Sequence, residues 1–80
     1  MMKLDVMVLS PTDVLFEGKV KSVIVPGEQG IFEIQPFHKR ILSRLVGGTM
    51  IIDGQRFPMR RGIVRVNQNR VTVVMEEDGS

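Results

Sequence analysis

The stretch Ile63–Met75, with the sequence Ile-Val-Arg-Val-Asn-Gln-Asn-Arg-Val-Thr-Val-Val-Met, decides the fold class. Apolar and polar residues alternate on both sides of a polar triplet, as they do in half-buried β-strands, whose side chains point to opposite faces in turn. The triplet Asn67–Asn69 is typical of a hairpin loop. The stretch therefore predicts two strands, Ile63–Val66 and Arg70–Met75, joined by a tight turn.

The same signals recur along the rest of the chain. Leu4, Val6 and Val8 alternate with Lys3, Asp5 and Met7, which predicts a strand with the first three on one face. The pair Asp53-Gly54 predicts a second hairpin, because both central positions of a two-residue turn favour positive φ. Only the segment Ile41–Leu45 is compatible with either helix or strand.

Turn-forming residues interrupt the chain at short intervals, and Pro58 and Gly62 are among the expected breaks. This spacing leaves no room for a long amphipathic helix, and it is typical of sandwiches and barrels. We therefore expect an all-β fold, a flattened β-sandwich or barrel of about ten short, mostly antiparallel strands. The sandwich is expected over residues 1–75, and residues 76–80 are expected to form an acidic, frayed tail.

Length and composition exclude several classes of protein. With 80 residues the chain forms one domain, and its 42% hydrophobic and 25% charged residues indicate a globular fold. Since it has no Cys and one His, a disulfide framework or a zinc site is excluded. His38 is the one possible imidazole base, and no serine has the flanking glycines of a nucleophile elbow. We therefore expect a protein that is not an enzyme and that binds no cofactor and no metal.

Positive charge is concentrated in one part of the sequence. Residues 38–70 contain eight Lys or Arg residues against one Asp, a formal charge of +7, whereas the rest of the chain carries −5. A basic face can contact a partner or simply water. Binding of single-stranded nucleic acid is one alternative, but Phe16, Phe32, Phe37 and Phe57 are dispersed and do not suggest a ladder of stacking aromatics.

An ordered set of short motifs runs through the chain without a gap. In order these are Leu4-Asp5-Val6, Phe16-Glu17-Gly18, Val20, Ser22-Val23, Val25-Pro26-Gly27, Gly30, Phe32, Ile34, Pro36, His38 and the closing run Val66–Val73. The set covers residues 3–75 and resembles the N-terminal β-sandwich domain of the epsilon subunit of F-type ATP synthases, called delta in mitochondria. Its departures include Glu33, where the family has Gly, and Lys39-Arg40, where the family has Ala-Pro.

The resemblance implies a non-catalytic rotor subunit of the central stalk. Such a subunit links the gamma subunit to the membrane c-ring during proton- or sodium-driven ATP synthesis. Because no segment of the sequence targets or spans a membrane, we expect a peripheral location, on the cytoplasmic face of the bacterial inner membrane, through these partners. A third possibility, besides a rotor subunit and a domain that binds single-stranded nucleic acid, is a sandwich used as an interaction module outside the synthase.

The resemblance also implies two sets of contact residues. The segment Glu28–His38 corresponds to the family's c-ring-facing loop, and the residues implied there are Glu28, Ile31, Glu33 and His38. The gamma-facing residues implied by the second and fourth strands are Val14, Phe16, Leu42 and Leu45. The family's C-terminal helical hairpin would follow residue 80, so we expect either a shortened chain or a variant subunit, and nothing is carried over from that hairpin.

Overall fold

The computed structural model describes residues 2–77, which form eight β-strands and contain no helix. The strands are β1 (Leu4–Leu9), β2 (Val14–Val20), β3 (Val23–Gly27), β4 (Gly30–Ile34), β5 (Ile41–Leu45), β6 (Gly48–Ile52), β7 (Gln55–Asn67) and β8 (Arg70–Glu77). The all-β prediction is confirmed, with eight strands where about ten were expected. Ile41–Leu45, which the sequence leaves open, is a strand.

The strands form two layers that share β7. Seven strands follow the order β2-β1-β8-β7-β5-β3-β4, and β6 pairs with both β3 and β7. Residues 55–59 of β7 pair with β6, whereas residues 62–66 pair with β5. The first layer is therefore β2, β1, β8, the second part of β7 and β5, and the second layer is the first part of β7 with β6, β3 and β4. All pairs are antiparallel except β1 with β8.

A bulge lets β7 pass from one layer to the other. The register with β8 shifts between Met59 and Arg61, so one extra residue is inserted there. Met59 is buried before the shift, and Val64 is buried after it, so the shift changes which alternate residues face the core. A strand that bends at its bulge brings both of its ends to the same end of the sandwich.

The predicted breaks at Pro58 and Gly62 are wrong, because β7 is continuous through both residues. Pro58 pairs with Thr49 of β6, while the pairing of β7 with β8 begins only at Met59. Pro58 therefore lies where one side of the strand has no partner among the described residues, a position that tolerates the missing N–H. At Gly62, an added Cβ would lie 2.5 Å from the carbonyl oxygen of Val74, so the close approach of two strands explains the glycine.

Two ends of the sandwich are named here by their turns. End I contains the turns at residues 21–22, 35–39, 53–54 and 68–69, and end II contains the turns at residues 10–13, 28–29 and 46–47 together with the bulge of β7. At end I, Asp53 and Gly54 have φ of 46° and 87°, which confirms the predicted hairpin. Gln68 and Asn69 have φ of 50° and 62°, so the second hairpin is also confirmed, with a loop of two residues instead of three.

The core lies between the two layers and is entirely apolar within residues 2–77. The predicted inward residues Leu4, Val6 and Val8 are at most 3% exposed. The same limit holds for the other alternating sets of the first layer, Val64, Val66, Val71, Val73 and Met75. These alternation-based predictions are therefore confirmed.

The first layer extends further toward the C-terminus than expected. β8 continues through Glu77, so Glu76 and Glu77 belong to a strand and not to the predicted tail. Pairing explains the difference, because Glu77 lies opposite Met59, and the Glu76 carboxylate accepts a hydrogen bond from Nε of Arg61. The remainder of the predicted tail, residues 78–80, lies outside the described residues.

Candidate docking face

Most of the exposed large apolar side chains lie near one another, on the outer surface of the first layer and at end II. They are Val14, Ile31, Leu42, Val46, Ile63 and Val74, each between 43% and 77% exposed. This set is called the apolar face below. Contiguous apolar surface of this kind marks interaction sites more often than scattered single residues do.

Strand pairing places three members of the apolar face, Ile63, Val74 and Val14, in one row with the half-buried Leu9. Ile63 of β7 is opposite Val74 of β8, Val74 is opposite Leu9 of β1, and Leu9 is opposite Val14 of β2. Side chains of directly opposed residues lie about 5 Å apart at Cβ and therefore touch across the sheet. The row forms an apolar band across four strands, although each strand alone contributes only one residue.

Two open grooves connect this band to end II. The first, of about 510 Å³, is lined by Glu28, Val46, Ile63 and Val74 among others, and the second, of about 580 Å³, by Ile31 and Leu42 among others. Glu28 and Arg44 line both grooves. The two grooves meet at Glu28 and Arg44, so the exposed surface runs from the first layer to the β3–β4 turn with these charged residues between its apolar parts.

One ion pair borders the first groove. The hydrogen bond from Arg61 lowers the pKa of the Glu76 carboxyl, and the same contact raises the pKa of the Arg61 guanidinium. Both side chains are well exposed, so water and salt screen their attraction. The pair gives the groove a polar margin and contributes little to holding the sandwich together.

Two of the four residues implied to face gamma lie on the apolar face. Val14 is 59% and Leu42 is 73% exposed. Leu45 is 3% exposed and belongs to the core, so its assignment to a docking surface is wrong. Leu42 and Leu45 are three residues apart, which would place them together on a helix but places them on opposite faces of a strand.

Phe16 serves mainly to pack the sandwich. It is half-buried against the core, and its ring meets that of Phe57 edge-to-face, with centroids 5.8 Å apart. Phe32 also packs against the core, which leaves Phe37 as the one exposed phenylalanine, at 75%. Residues 2–77 therefore present no series of aromatic rings on which bases could stack.

The four residues implied to face the c-ring do not lie together. Glu28 is in the β3–β4 turn at end II, and Ile31 is close to it and 77% exposed. Glu33 is exposed on β4, opposite Ile24 of β3 in the second layer. His38 is half-buried at end I, where its Nδ1 lies 2.9 Å from the carbonyl oxygen of Lys39.

The single loop expected over Glu28–His38 is therefore wrong. Gly30–Ile34 forms β4, and a strand of that length separates its first and last residues by about 13 Å. Instead, the β3–β4 turn at residues 28–29 lies at end II, and the connection from β4 to β5 lies at end I. Of the four residues, Glu28 and Ile31 border the grooves.

Sequence reasoning missed Val46, Ile63 and Val74. Their signal was present, because Val74 is an apolar residue at an outward position of an alternating strand, between the buried Val73 and Met75. Ile63 occupies the equivalent position on β7. An outward apolar residue on each of two adjacent strands predicts contact with something other than water.

Known proteins identify the family. The model of the ATP synthase, Delta/Epsilon chain, beta-sandwich domain, matches residues 3–77. The chain belongs to this family. The ATP synthase epsilon chain of Leptospira borgpetersenii is 33% identical over 78 residues, which cover 92% of this chain and 61% of the relative. That of Nitratiruptor sp. is 36% identical over 74 residues, covering 86% of this chain and 57% of the relative. The chain thus spans about three fifths of the length of these curated relatives.

Two solved structures share the fold of this family member. A chain of the Euglena gracilis mitochondrial ATP synthase (OSCP, F1 and c-ring) matches with a TM-score of 0.85 at 13% identity, over 94% of this chain and 51% of that one. A chain from the central stalk and c-ring of the Tetrahymena thermophila mitochondrial enzyme matches with a TM-score of 0.80 at 16% identity, over 95% and 65%. At such identities the likeness establishes the sandwich fold.

Residues 2–77 contain neither a candidate metal site nor a candidate membrane-spanning helix. The described side chains include no group of three or more His, Cys, Asp or Glu residues placed to hold a metal ion. The same residues contain no helix with the length and hydropathy that a membrane span requires.

Proposed function

We propose that this chain is the sandwich domain of a non-catalytic rotor subunit in the central stalk of an F-type ATP synthase, where it links the gamma subunit to the c-ring. The observation that carries the proposal is the apolar face, whose two grooves join the first layer to the β3–β4 turn at end II through Glu28 and Arg44. A linking subunit needs two contact surfaces on one rigid body, and this face together with that turn supplies them. Family membership and the structural neighbours, which come from assemblies that contain a c-ring and a central stalk, support the choice of partners.

The gamma subunit is the proposed partner of the part of the apolar face that lies on the first layer, whereas Ile31 belongs to the surface of the β3–β4 turn. Stable protein interfaces bury about 800 Å² on each partner. A domain with an accessible surface of 5424 Å² can supply that area only from one broad surface. The face centred on Leu42, Ile63 and Val74, with Val14 at its margin, is apolar at its middle and has Arg44 and Arg61 beside it, as docking interfaces commonly do.

The c-ring is the proposed partner of the β3–β4 turn. Glu28 carries an exposed charge at the tip of the hairpin, and Ile31 is an exposed apolar residue beside it. A short charged and apolar tip suits contact with polar loops of a ring. Glu33 and His38 lie outside both proposed surfaces, on the second layer and at end I. The domain would thus be held peripherally at the membrane through its partners.

Co-purification with the gamma subunit of the same organism tests the proposal. Val74→Asp places a charge in the middle of the apolar face and should abolish binding, since the carboxylate would be buried without a partner. Thr49→Asp introduces the same charge on an exposed residue of the second layer and should leave binding unchanged. Binding of gamma by the Val74→Asp variant at wild-type strength, with the sandwich folded, would contradict the assignment.

The c-ring contact has its own matched pair of variants. Glu28→Lys and Glu33→Lys reverse the same charge on one hairpin, but only Glu28 lies at end II. The sandwich–gamma complex with Glu28→Lys should assemble more weakly onto the ring, whereas the complex with Glu33→Lys should assemble normally. The genes for gamma, beta and c-ring subunits beside this one would further separate the proposal from a sandwich module used outside the synthase.

A further inference from the structure

A polar cleft lies on the first layer, beside the Gln68–Asn69 turn and next to Leu42 at the margin of the apolar face, since Leu42 is the register partner of Arg65. It has a volume of about 340 Å³ and is lined by Arg65, Asn67, Gln68, Arg70 and Thr72. Each of these five side chains can donate hydrogen bonds, and none carries a negative charge. The volume is in the range of small-molecule sites, so the cleft can admit an anionic group with part of the molecule that bears it.

Strand pairing explains why the two arginines share this cleft. Arg65 is opposite Thr72, and Asn67 is opposite Arg70, so the four residues occupy two neighbouring rows of one sheet face. The arginines are diagonal neighbours, about 7 to 8 Å apart at Cα, within reach of a common ligand for side chains of their length.

Neither arginine is neutralised by a carboxylate within residues 2–77. The two ion pairs among these residues join Lys19 to Asp5 and Arg61 to Glu76. Asp5 is the register partner of Arg70 in the parallel β1–β8 pair, but its Oδ1 lies 3.8 Å from Nζ of Lys19. Arg70 and Thr72 also line an adjacent groove that contains Asp5 and Glu17, but neither carboxylate lines the cleft itself, so the cleft is locally positive and favours the entry of an anion.

The backbone part of the cleft is preformed, because the turn beside it is held from two sides. The backbone N–H of Phe37 donates a 2.6 Å hydrogen bond to Oδ1 of Asn69. The N–H of Asp5 donates a 2.8 Å hydrogen bond to the carbonyl oxygen of the same residue. A site that does not have to be ordered on binding loses less affinity to conformational entropy.

We propose that this cleft binds a phosphate group through Arg65 and Arg70, with Asn67, Gln68 and Thr72 as further donors. Arginine presents parallel N–H groups that match two oxygens of a phosphate, and a phosphate has enough oxygens to accept from both arginines and from the neutral donors. A carboxylate, with two oxygens, would leave most of these donors without an acceptor. The phosphate can belong to a free ion or to a lipid headgroup, and the experiment separates the two.

Titration of the full 80-residue chain with inorganic phosphate at constant ionic strength tests the site, with backbone amide shifts as the readout. Saturable shifts confined to residues 65–72 are expected. A second arm replaces phosphate by phosphatidylglycerol vesicles, with phosphatidylcholine vesicles as the neutral reference. Binding in the first arm assigns a free phosphate, and binding in the second arm alone assigns a lipid headgroup.

Paired variants show whether the cleft or general positive charge is responsible. The double variant Arg65→Gln with Arg70→Gln should bind roughly tenfold to a hundredfold more weakly, as expected when charge-assisted hydrogen bonds are lost. The double variant Arg56→Gln with Arg60→Gln removes two positive charges from exposed positions of β7 outside the cleft and should bind normally. Arg65→Lys with Arg70→Lys keeps both charges and should still weaken binding, because a lysine cannot make the bidentate contact.

Three outcomes would overturn the proposal. They are the absence of saturable binding in both arms, shifts spread over all arginines of the chain, and equal weakening by Arg56→Gln with Arg60→Gln. The shift map of the wild-type chain decides the question even where a double variant fails to fold. None of these outcomes bears on the gamma or c-ring contacts, since the titration contains neither partner.

Discussion

The two ends of the sandwich are held together by different kinds of bond. At end I, the Asp53 carboxylate accepts hydrogen bonds from the N–H groups of Lys21 and Ser22 at 3.0 to 3.1 Å. Asn69 accepts a further bond from Phe37, so two side chains connect turns of the two layers. At end II, the hydrogen bonds of Ser10 stay within its own turn.

End II is closed mainly by the backbone itself. β7 passes between the layers there, and the N–H of Val46 donates to the carbonyl oxygen of Pro26 at 2.8 Å. Side chains such as those of Glu28 and Val46 are consequently not needed for cross-links and are exposed. At end I, side chains therefore add cross-links between turns to the backbone hydrogen bond from Asp53 to Ser22. At end II, the side chains are free to contact partners.

Gly62→Ala should have the largest effect, because it alters the closure of end II in the backbone. The new Cβ would lie 2.5 Å from the carbonyl oxygen of Val74, which belongs to the backbone and cannot rotate away. A loss of about 1 to 3 kcal/mol in the free energy of unfolding is expected, as for other overpacked sites. Chemical denaturation measures it.

Gly18→Ala is the matched control for this change. An added Cβ at Gly18 would have as its nearest neighbour a ring atom of Phe16 at 3.6 Å, an ordinary contact. Its stability should stay within about 0.5 kcal/mol of the wild type or rise slightly. Equal losses in the two variants would mean that the crossing of β7 is not tightly packed.

The same comparison shows what sequence reasoning can reach. Alternation alone located β1, β8, the second part of β7 and the inward residues Val64 and Val73, since a strand with one buried face has a period of two. The Asp53-Gly54 turn was equally predictable, because its residue types match the φ values that the turn requires.

The bend of β7 was beyond such reasoning. Pro58 and Gly62 both read as strand breaks, but one occupies a half-paired position and the other a close approach between strands, and each depends on a neighbour distant in sequence. The predicted c-ring-facing residues were grouped wrongly for the same reason. Which residues of the β3–β4 segment share a surface depends on where the hairpin turns, so the position of His38 relative to Glu28 could not be derived from order alone.

Asp53→Ala tests how much the side-chain cross-links of end I stabilise the fold. The change removes the acceptor for the Lys21 and Ser22 N–H groups, and it places alanine at a positive φ, so a loss of about 2 kcal/mol is expected. Ser10→Ala at end II removes hydrogen bonds within one exposed turn and should cost less than about 1 kcal/mol.

Thermal and urea unfolding of both variants measure this difference. Asp53→Asn serves as a control for the backbone contribution, since asparagine accepts the same φ and keeps one acceptor oxygen, and it should lose less than Asp53→Ala. The two ends would have to be regarded as equally cross-linked if Ser10→Ala proved as destabilising as Asp53→Ala.

The ion pair at end II should give the smallest effect, and one that depends on pH. Because the hydrogen bond from Arg61 lowers the pKa of Glu76 in the folded chain, the pair stabilises the fold at pH values above the ordinary pKa of glutamate. That contribution is lost as the pH falls through the lowered pKa, where the folded carboxylate becomes protonated. Between neutral and acidic pH, the wild type should therefore lose slightly more stability than Glu76→Gln, and high salt should reduce the difference.

Glu77→Gln is the control, since its carboxylate takes part in neither of the two ion pairs of residues 2–77. Parallel stability–pH curves for the wild type and Glu76→Gln would show that the contact contributes nothing in solution. A small difference is what the comparison requires, because an exposed ion pair at end II adds little to a closure already made by the backbone of β7. A large one would mean that side chains fix end II as well, and the groove between Arg61 and Val46 would then be less free to receive a partner.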